Sequence, residues 1–177
     1  MTCIIGLAHE GKVYLAGDSA GVAGYDLQIS KTPKVFVNGP FLIGYTASFR
    51  MGQLLEHAFA PPKRHPDMDV MRFMVTDFVD TVRNCFKNGG FAWRQNEAEK
   101  AGFFLVAYEG RLFEIQEDYQ VFESRTGIAA VGYGNQVALG AMYALHDKPP
   151  EERVTAALAI VERCSAGVAG PFHVVSL

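Results

Sequence analysis

Hydrophobic positions along the chain change period in blocks. Two short apolar runs, Cys3 to Ala8 and Val13 to Ala16, flank the turn "HEGK", in which Gly11 is free to take positive φ. This predicts a tight hairpin at the start of the chain. After "GDSAGVAGYDLQISKTP", read as a loop, a second pair follows, with Val35 to Val37, "NGP" as the turn, and Phe41 to Tyr45. Four strands are therefore expected before any helix.

From Ser48 the spacing becomes helical, with Met51, Leu54, Leu55 and Ala58 on one face until "PPKRHP" interrupts it. Val70, Phe73, Met74, Phe78, Val82, Cys85 and Phe86 mark the inner face of a longer helix ending at "NGG". Strand spacing returns in "GFFLVAYEGRLFEIQ", a hairpin turning at Glu109 and Gly110, and continues through Gln120 to Phe122 and Ile128 to Val131. Asn135 is expected to cap a helix through Ala144. Pro149, Pro150, Glu151 and Glu152 suit the start of another helix that turns Val154, Ala157, Leu158 and Val161 inward. "GPFHVVSL" closes as a strand. Blocks of strands alternating with blocks of helices predict an α+β class of antiparallel sheets covered by helices, in a four-layer αββα sandwich, and not a parallel βαβ sheet.

Composition narrows the class. The chain has 177 residues, enough for one domain with its own core, and neither a long linker nor a repeat period divides it, so residues 1–177 are expected to form a single domain. No apolar run approaches the roughly 18 residues of a membrane span. The first segment meets His9, Glu10 and Lys12 too early for a secretory signal, which predicts a mature N-terminus near residue 1 or 2. Cys3, Cys85 and Cys164 form neither a CxxC nor a Cys/His metal pattern, and the five histidines show no paired metal spacing. A cytoplasmic protein without a metal or cofactor is the expectation. A net charge of −3 without a basic stripe argues against nucleic acid as the partner.

The candidate chemistry lies at the start. A threonine hydroxyl is a weak nucleophile until a base takes its proton. If Met1 is removed, the α-amine of Thr2 has a reference pKa of about 7.7 to 8.0 and lies on the same residue as the hydroxyl. Such an amine needs a neighbouring cation to keep it neutral, and that cation needs a carboxylate. Asp18 follows the second strand and Lys34 opens the third, so a hairpin turning near Gly11 brings Asp18 back beside Thr2, with Lys34 at the same sheet end. Taken singly, Asp18 is equally a turn former and Lys34 an edge charge. Cys3 is the other nearby nucleophile, but alternation turns it to the opposite face.

In the order Thr2, "EGKVYLAGDSAGVAG", "SKTPKVF" and "FLIGYTAS", the chain resembles a proteasome β-type subunit, most closely the bacterial HslV branch. "VGYGNQVALGAMYAL" and "ERCSAGVAGPFHVV" extend the resemblance to nearly the whole length. It implies the fold of the N-terminal nucleophile hydrolases, with Thr2 as nucleophile, Lys34 tuning its amine, Asp18 pairing with Lys34, Ser165 in support, and the backbone N–H near Ala47 as oxyanion donor. It further implies a threonine-type endopeptidase acting on polypeptide inside a homo-oligomeric ring or stacked rings. A separate ATPase unfoldase would feed the ring, since the chain has no P-loop. The sequence departs from the family at Ala47 (usually glycine), Tyr133 (usually serine) and Glu162 (usually aspartate). These departures keep two rival readings open: a non-catalytic ring or scaffold protein, and a small-molecule amidohydrolase on the same fold.

Overall fold

The computed structural model describes residues 1–95 and 98–177. Strands β1 (Cys3–His9) and β2 (Lys12–Gly17) form the opening hairpin, with Glu10 at φ 51° and Gly11 at φ 76°. Two successive left-handed residues make a tight turn that matches strand twist, which is why "EG" works there. Strands β3 (Ala20–Ala23) and β4 (Asp26–Ile29) then pair with each other. The segment expected as a loop is thus a hairpin, and six strands precede the first helix. Its signal is weak because all four residues of β4 are exposed, leaving no buried face to mark a period of two.

Strands β5 (Val35–Asn38) and β6 (Phe41–Tyr45) lead into α1 (Phe49–His57), whose first turn is capped by Ser48 Oγ accepting from the Arg50 and Met51 N–H groups. The long helix expected from Val70 runs through α2 (Val70–Phe73), a π-helical stretch (Met74–Phe78) and α3 (Val79–Asn88). Short strands β7 (Trp93–Gln95) and β8 (Ala98–Lys100) follow. Strands β9 (Phe104–Tyr108) and β10 (Arg111–Ile115) form the next hairpin, again with two left-handed turn residues, Glu109 and Gly110. The chain continues with β11 (Val121–Glu123), β12 (Ile128–Gly132), α4 (Asn135–Ala144), α5 (Pro150–Cys164) and β13 (His173–Ser176). Asn135 does not cap α4: Gly134 occupies the cap position, no side chain caps the helix, and Asn135 is its first residue.

One sheet has strand order β12-β1-β2-β13 and the other β11-β10-β9-β6-β5, with every pairing antiparallel. Alternation along β1 divides its side chains. Cys3, Ile5 and Leu7 pack with Ala138, Met142, Val154, Leu158 and Val161 of α4 and α5. Ile4, facing the other way, packs with Leu15, Val35, Leu42, Leu105 and Leu112 in a core shared by the two sheets. The far side of the second sheet is aromatic, with Phe41, Phe104 and Phe113 against Phe73, Phe78 and Phe86 from the long helix. Phe41 stacks on Tyr108 at 4.6 Å between centroids, and each such ring contributes about 1.5–3 kcal/mol by leaving water. At the Thr2 end the sheets approach closely, because Gly17 and Gly44 both face Ile4: a β-carbon at either would lie 2.8 or 2.6 Å from an Ile4 methyl. That approach brings the ends of β1, β2 and β5 together.

Candidate active site

Thr2 stands one residue before β1, Asp18 one after β2, and Lys34 one before β5. Hairpin register brings Thr2 and Asp18 to one end of the first sheet, but Lys34 does not join them on a neighbouring strand of that sheet as expected: β5 belongs to the second sheet, and Lys34 reaches them across the inter-sheet core. Thr2 is 6% exposed, Asp18 0% and Lys34 1%. Lys34 Nζ donates to Thr2 Oγ1 at 2.9 Å, to Asp18 Oδ1 and Oδ2 at 3.1 and 3.0 Å, and to the Ala20 carbonyl at 2.6 Å. Asp18 is itself held by the backbone: Oδ1 accepts from Cys3 N–H at 3.0 Å and Oδ2 from Ala20 N–H at 2.8 Å. A buried cation and anion thus satisfy each other, and the ammonium has one direction left over, toward the threonine hydroxyl. Burial pushes the Lys34 ammonium below the usual lysine range, opposed by the neighbouring Asp18 carboxylate.

The threonine hydroxyl donates to the Met1 carbonyl at 2.6 Å while accepting from Lys34. On its other edge, a β-carbon at Gly132 would lie 2.3 Å from the Thr2 carbonyl oxygen, so β12 runs directly against the first residues. Met1 packs on Gly167, where a β-carbon would meet Met1 Cβ at 2.2 Å. Cys3 points away under α4, and burial, with Asp18 adding to it, pushes its thiol up to about 12. It packs under α4 and α5 and does not line the cavity beside Thr2.

Ala47 borders a cavity of about 80 Å³ that Met1, Thr2, Lys34, Thr46 and Phe49 also line. Its φ of 64° lies in the left-handed region that favours glycine, a strain of about 1 kcal/mol or more. Its neighbours impose the conformation. Thr46 is anchored through N–H and hydroxyl to the Phe103 carbonyl at 3.2 and 2.8 Å, and Ser48 is committed to capping α1. The Ala47 N–H is left without a hydrogen-bond partner among the described residues, beside the threonine hydroxyl's cavity.

The other expected site residues divide. Ser165 is buried just past α5, and its hydroxyl accepts from Gly167 N–H at 3.4 Å. Glu162 turns to the loop before β13, where Oε1 accepts from Gly170 N–H at 2.8 Å. Tyr133 is 70% exposed. None of the three hydrogen-bonds Thr2 among the described residues. Two participants escaped sequence reasoning. The Ala20 carbonyl has no side-chain signal to reveal it. Ser19, fully buried, ties the Asp18 turn to the loop before β13 through Oγ on the Pro171 carbonyl at 2.6 Å and N–H on the Ala169 carbonyl at 2.9 Å. Its signal is its place in "GDS", next to the candidate carboxylate Asp18. Among the described residues no group of three or more His, Cys, Asp or Glu side chains could hold a metal, and no helix is long and apolar enough to cross a membrane.

No protein-family description and no curated protein matches the sequence. Solved structures do match in shape. BPH of Thiobacillus denitrificans superposes with a TM-score of 0.82 at 19% identity, covering 99% of this chain and 97% of that one. HslV of Trypanosoma brucei gives 0.68 at 19% identity, covering 99% and 98%. Anbu, the ancestral β-subunit, of Yersinia bercovieri gives 0.69 at 17% identity, covering 98% and 80%. The fold built here from two sheets and their covering helices is thus the HslV-like, proteasome-like fold.

Proposed function

We propose that this chain is a threonine-type peptidase subunit, working from an N-terminal Thr2 after Met1 is removed, on an αββα arrangement of its two sheets and their helices. The observation that carries the reading is the 2.9 Å hydrogen bond from Lys34 Nζ to Thr2 Oγ1, with Lys34 fixed by a fully buried Asp18. Once the amide to Met1 is gone, the freed α-amine takes the Oγ1 proton as Oγ1 attacks the substrate carbonyl carbon. The Lys34 cation favours the neutral amine and the developing alkoxide, and the Ala47 N–H donates to the oxyanion. The protonated amine then gives its proton to the leaving amine, which departs and leaves an ester on Thr2. Water, deprotonated by the same amine, attacks the ester carbonyl; the bond from the acyl carbon to Oγ1 breaks, Oγ1 takes the proton back from the ammonium, and the new carboxyl end is released. Fold likeness to HslV and Anbu supports a homo-oligomeric ring that encloses polypeptide substrate, with any ATPase unfoldase a separate protein.

The test uses the full chain with and without Met1, each verified by intact mass. Only the Met1-free form should hydrolyse peptides, and Thr2→Ala should abolish turnover. Because Thiobacillus denitrificans BPH has been solved in complex with epoxomicin, that compound is the probe. It should add its mass to the N-terminal fragment of the Met1-free form alone. No turnover and no adduct from a Met1-free protein would refute the peptidase. The second reading, a non-catalytic ring protein, is favoured by one specific arrangement: Glu162 is committed to Gly170 and Tyr133 faces solvent, so neither reaches Thr2. A stable ring without turnover would establish it.

A further inference from the structure

A cleft of about 190 Å³ opens where β12, the edge strand of the first sheet, faces β10 of the second. Phe103, Glu114, Val131, Gly132 and Asn135 line it. It shares no lining residue with the cavity at Thr2, and Met1 is not one of its walls, so its lining is the same before and after Met1 is removed.

Glu114 is the unusual wall. Along β10, Phe113 and Ile115 pack into the aromatic core under the long helix, whereas Leu112 turns into the layer between the sheets, and Glu114 alternates with it onto that same face. Its neighbours across the ladder are Leu105, fully buried, and Phe122, so a half-buried carboxylate stands in an apolar row. Among the described residues it has no ion pair. It accepts one hydrogen bond there, from Gln116 Nε2 to Oε1 at 3.4 Å, and no N–H at the start of α4 donates to it. Burial pushes its carboxyl above the usual range, with the Gln116 hydrogen bond opposing. A desolvated carboxylate is costly until it takes up a proton or a cation.

The lining narrows the choice of cation. An ammonium carries three N–H donors and no acceptor. Glu114 Oε2 and the Asn135 amide oxygen supply acceptors, while Phe103, 37% exposed, and the buried Val131 supply apolar wall for an alkyl stem. A guanidinium gains most from a carboxylate with both oxygens free, and Oε1 is already engaged by Gln116. A cavity of roughly 150 Å³ accepts a benzene ring, so about 190 Å³ has room for an unbranched butyl chain and its ammonium.

We propose that this cleft binds an alkylammonium group, either a lysine side chain of a polypeptide or a free aliphatic amine, through Glu114 and Asn135. Its walls meet the Thr2 site from behind: Gly132 backs the Thr2 carbonyl, and the Phe103 carbonyl anchors Thr46. The binding itself does not depend on Thr2 being a nucleophile.

Saturation-transfer NMR on the full chain tests this, with butylammonium chloride as the probe and 1-butanol as its neutral match. Butylammonium should bind saturably and about tenfold more tightly than 1-butanol, the scale of one hydrogen bond to a charged group. Glu114→Gln, which keeps the shape and removes the charge, should erase that preference, and Asn135→Ala should reduce it. Thr2→Ala should leave it unchanged. A thermal melt confirms that each variant is folded, and if Glu114→Gln does not fold, Asn135→Ala carries the comparison. Nα-acetyl-lysine N-methylamide and cadaverine separate the two sources: tighter binding of the first identifies a polypeptide side chain, of the second a free amine. Equal binding of butylammonium and 1-butanol, no saturation by butylammonium, or a preference unmoved by the folded variant overturns the inference.

Discussion

Thr2 has two flanks, and they are built differently. On the side of β2 and β5, every polar atom that matters is buried and multiply bonded: Asp18 accepts from two backbone N–H groups and from Lys34, and Lys34 spans to the hydroxyl. On the side of α5 and the loop before β13, Ser165 and Glu162 bond to backbone N–H groups of their own loop, and Tyr133 is exposed. The first flank is a charge pair that cannot relax into water. The second holds one buried hydrogen bond, at Ser165, and one solvent-accessible one, at Glu162, and, among the described residues, no charge pair.

The largest effect should come from Asp18→Ala. It strands the Lys34 charge in a buried site, and breaking such a pair by deleting one partner costs about 3–5 kcal/mol. Urea unfolding should show that loss, and a Met1-free Asp18→Ala protein should have no peptide turnover. A loss no greater than that of Glu162→Ala would erase the contrast between the flanks.

A pH series probes the face behind Thr2. The Cys3 thiol is raised from 9.0 to about 12. Above pH 9 the unfolded chain releases this proton while the native chain holds it, so the stabilisation is complete below 9 and lost as pH climbs toward 12. The slope is roughly 1.4 kcal/mol per pH unit. Urea melts between pH 8.5 and 10.5 should show the advantage of the parent chain over Cys3→Ala shrinking as pH rises. A constant difference would mean that Cys3 is more open than its place under α4 allows.

Glu162→Ala should cost about 0.5–1 kcal/mol, since it removes one exposed hydrogen bond to Gly170 N–H. The loss is checked by denaturant midpoint and by faster proteolysis in residues 165–172. Smallest of all, Tyr133→Ala should stay within about 0.5 kcal/mol of the parent, as a substitution at an exposed position. A larger loss on melting would mean that the tyrosine packs against something in solution, such as a second copy.

The legibility of the site follows the same division. Thr2 and Asp18 could be placed together from the sequence because each adjoins a strand end and an antiparallel hairpin with a two-residue turn fixes which ends meet, whereas Lys34 comes from the facing sheet, and its approach depends on how the two sheets pack. Tyr133 and Glu162 could not. One sits in a glycine-flanked turn and the other on the last turn of α5, and at such places side-chain direction depends on tertiary packing. Phe49 was hidden for another reason. Its position reads as the start of an amphipathic helix, and nothing in the helical period says that a first-turn ring will lean toward Gly21 and Lys34. The hairpins and helices with a buried face were readable, whereas β3 and β4, with little to bury, were not.

The pairing of Cys3 with Gly132, and the contact of Gly132 with the Thr2 carbonyl, has a consequence for synthesis. The segment around Thr2 acquires a neighbour on one edge from β2, made almost at once, and on the other only when β12, more than a hundred residues later, has been made. Whatever reactivity Thr2 possesses cannot be fully braced in a nascent fragment, and a truncated product would carry its first residues half supported.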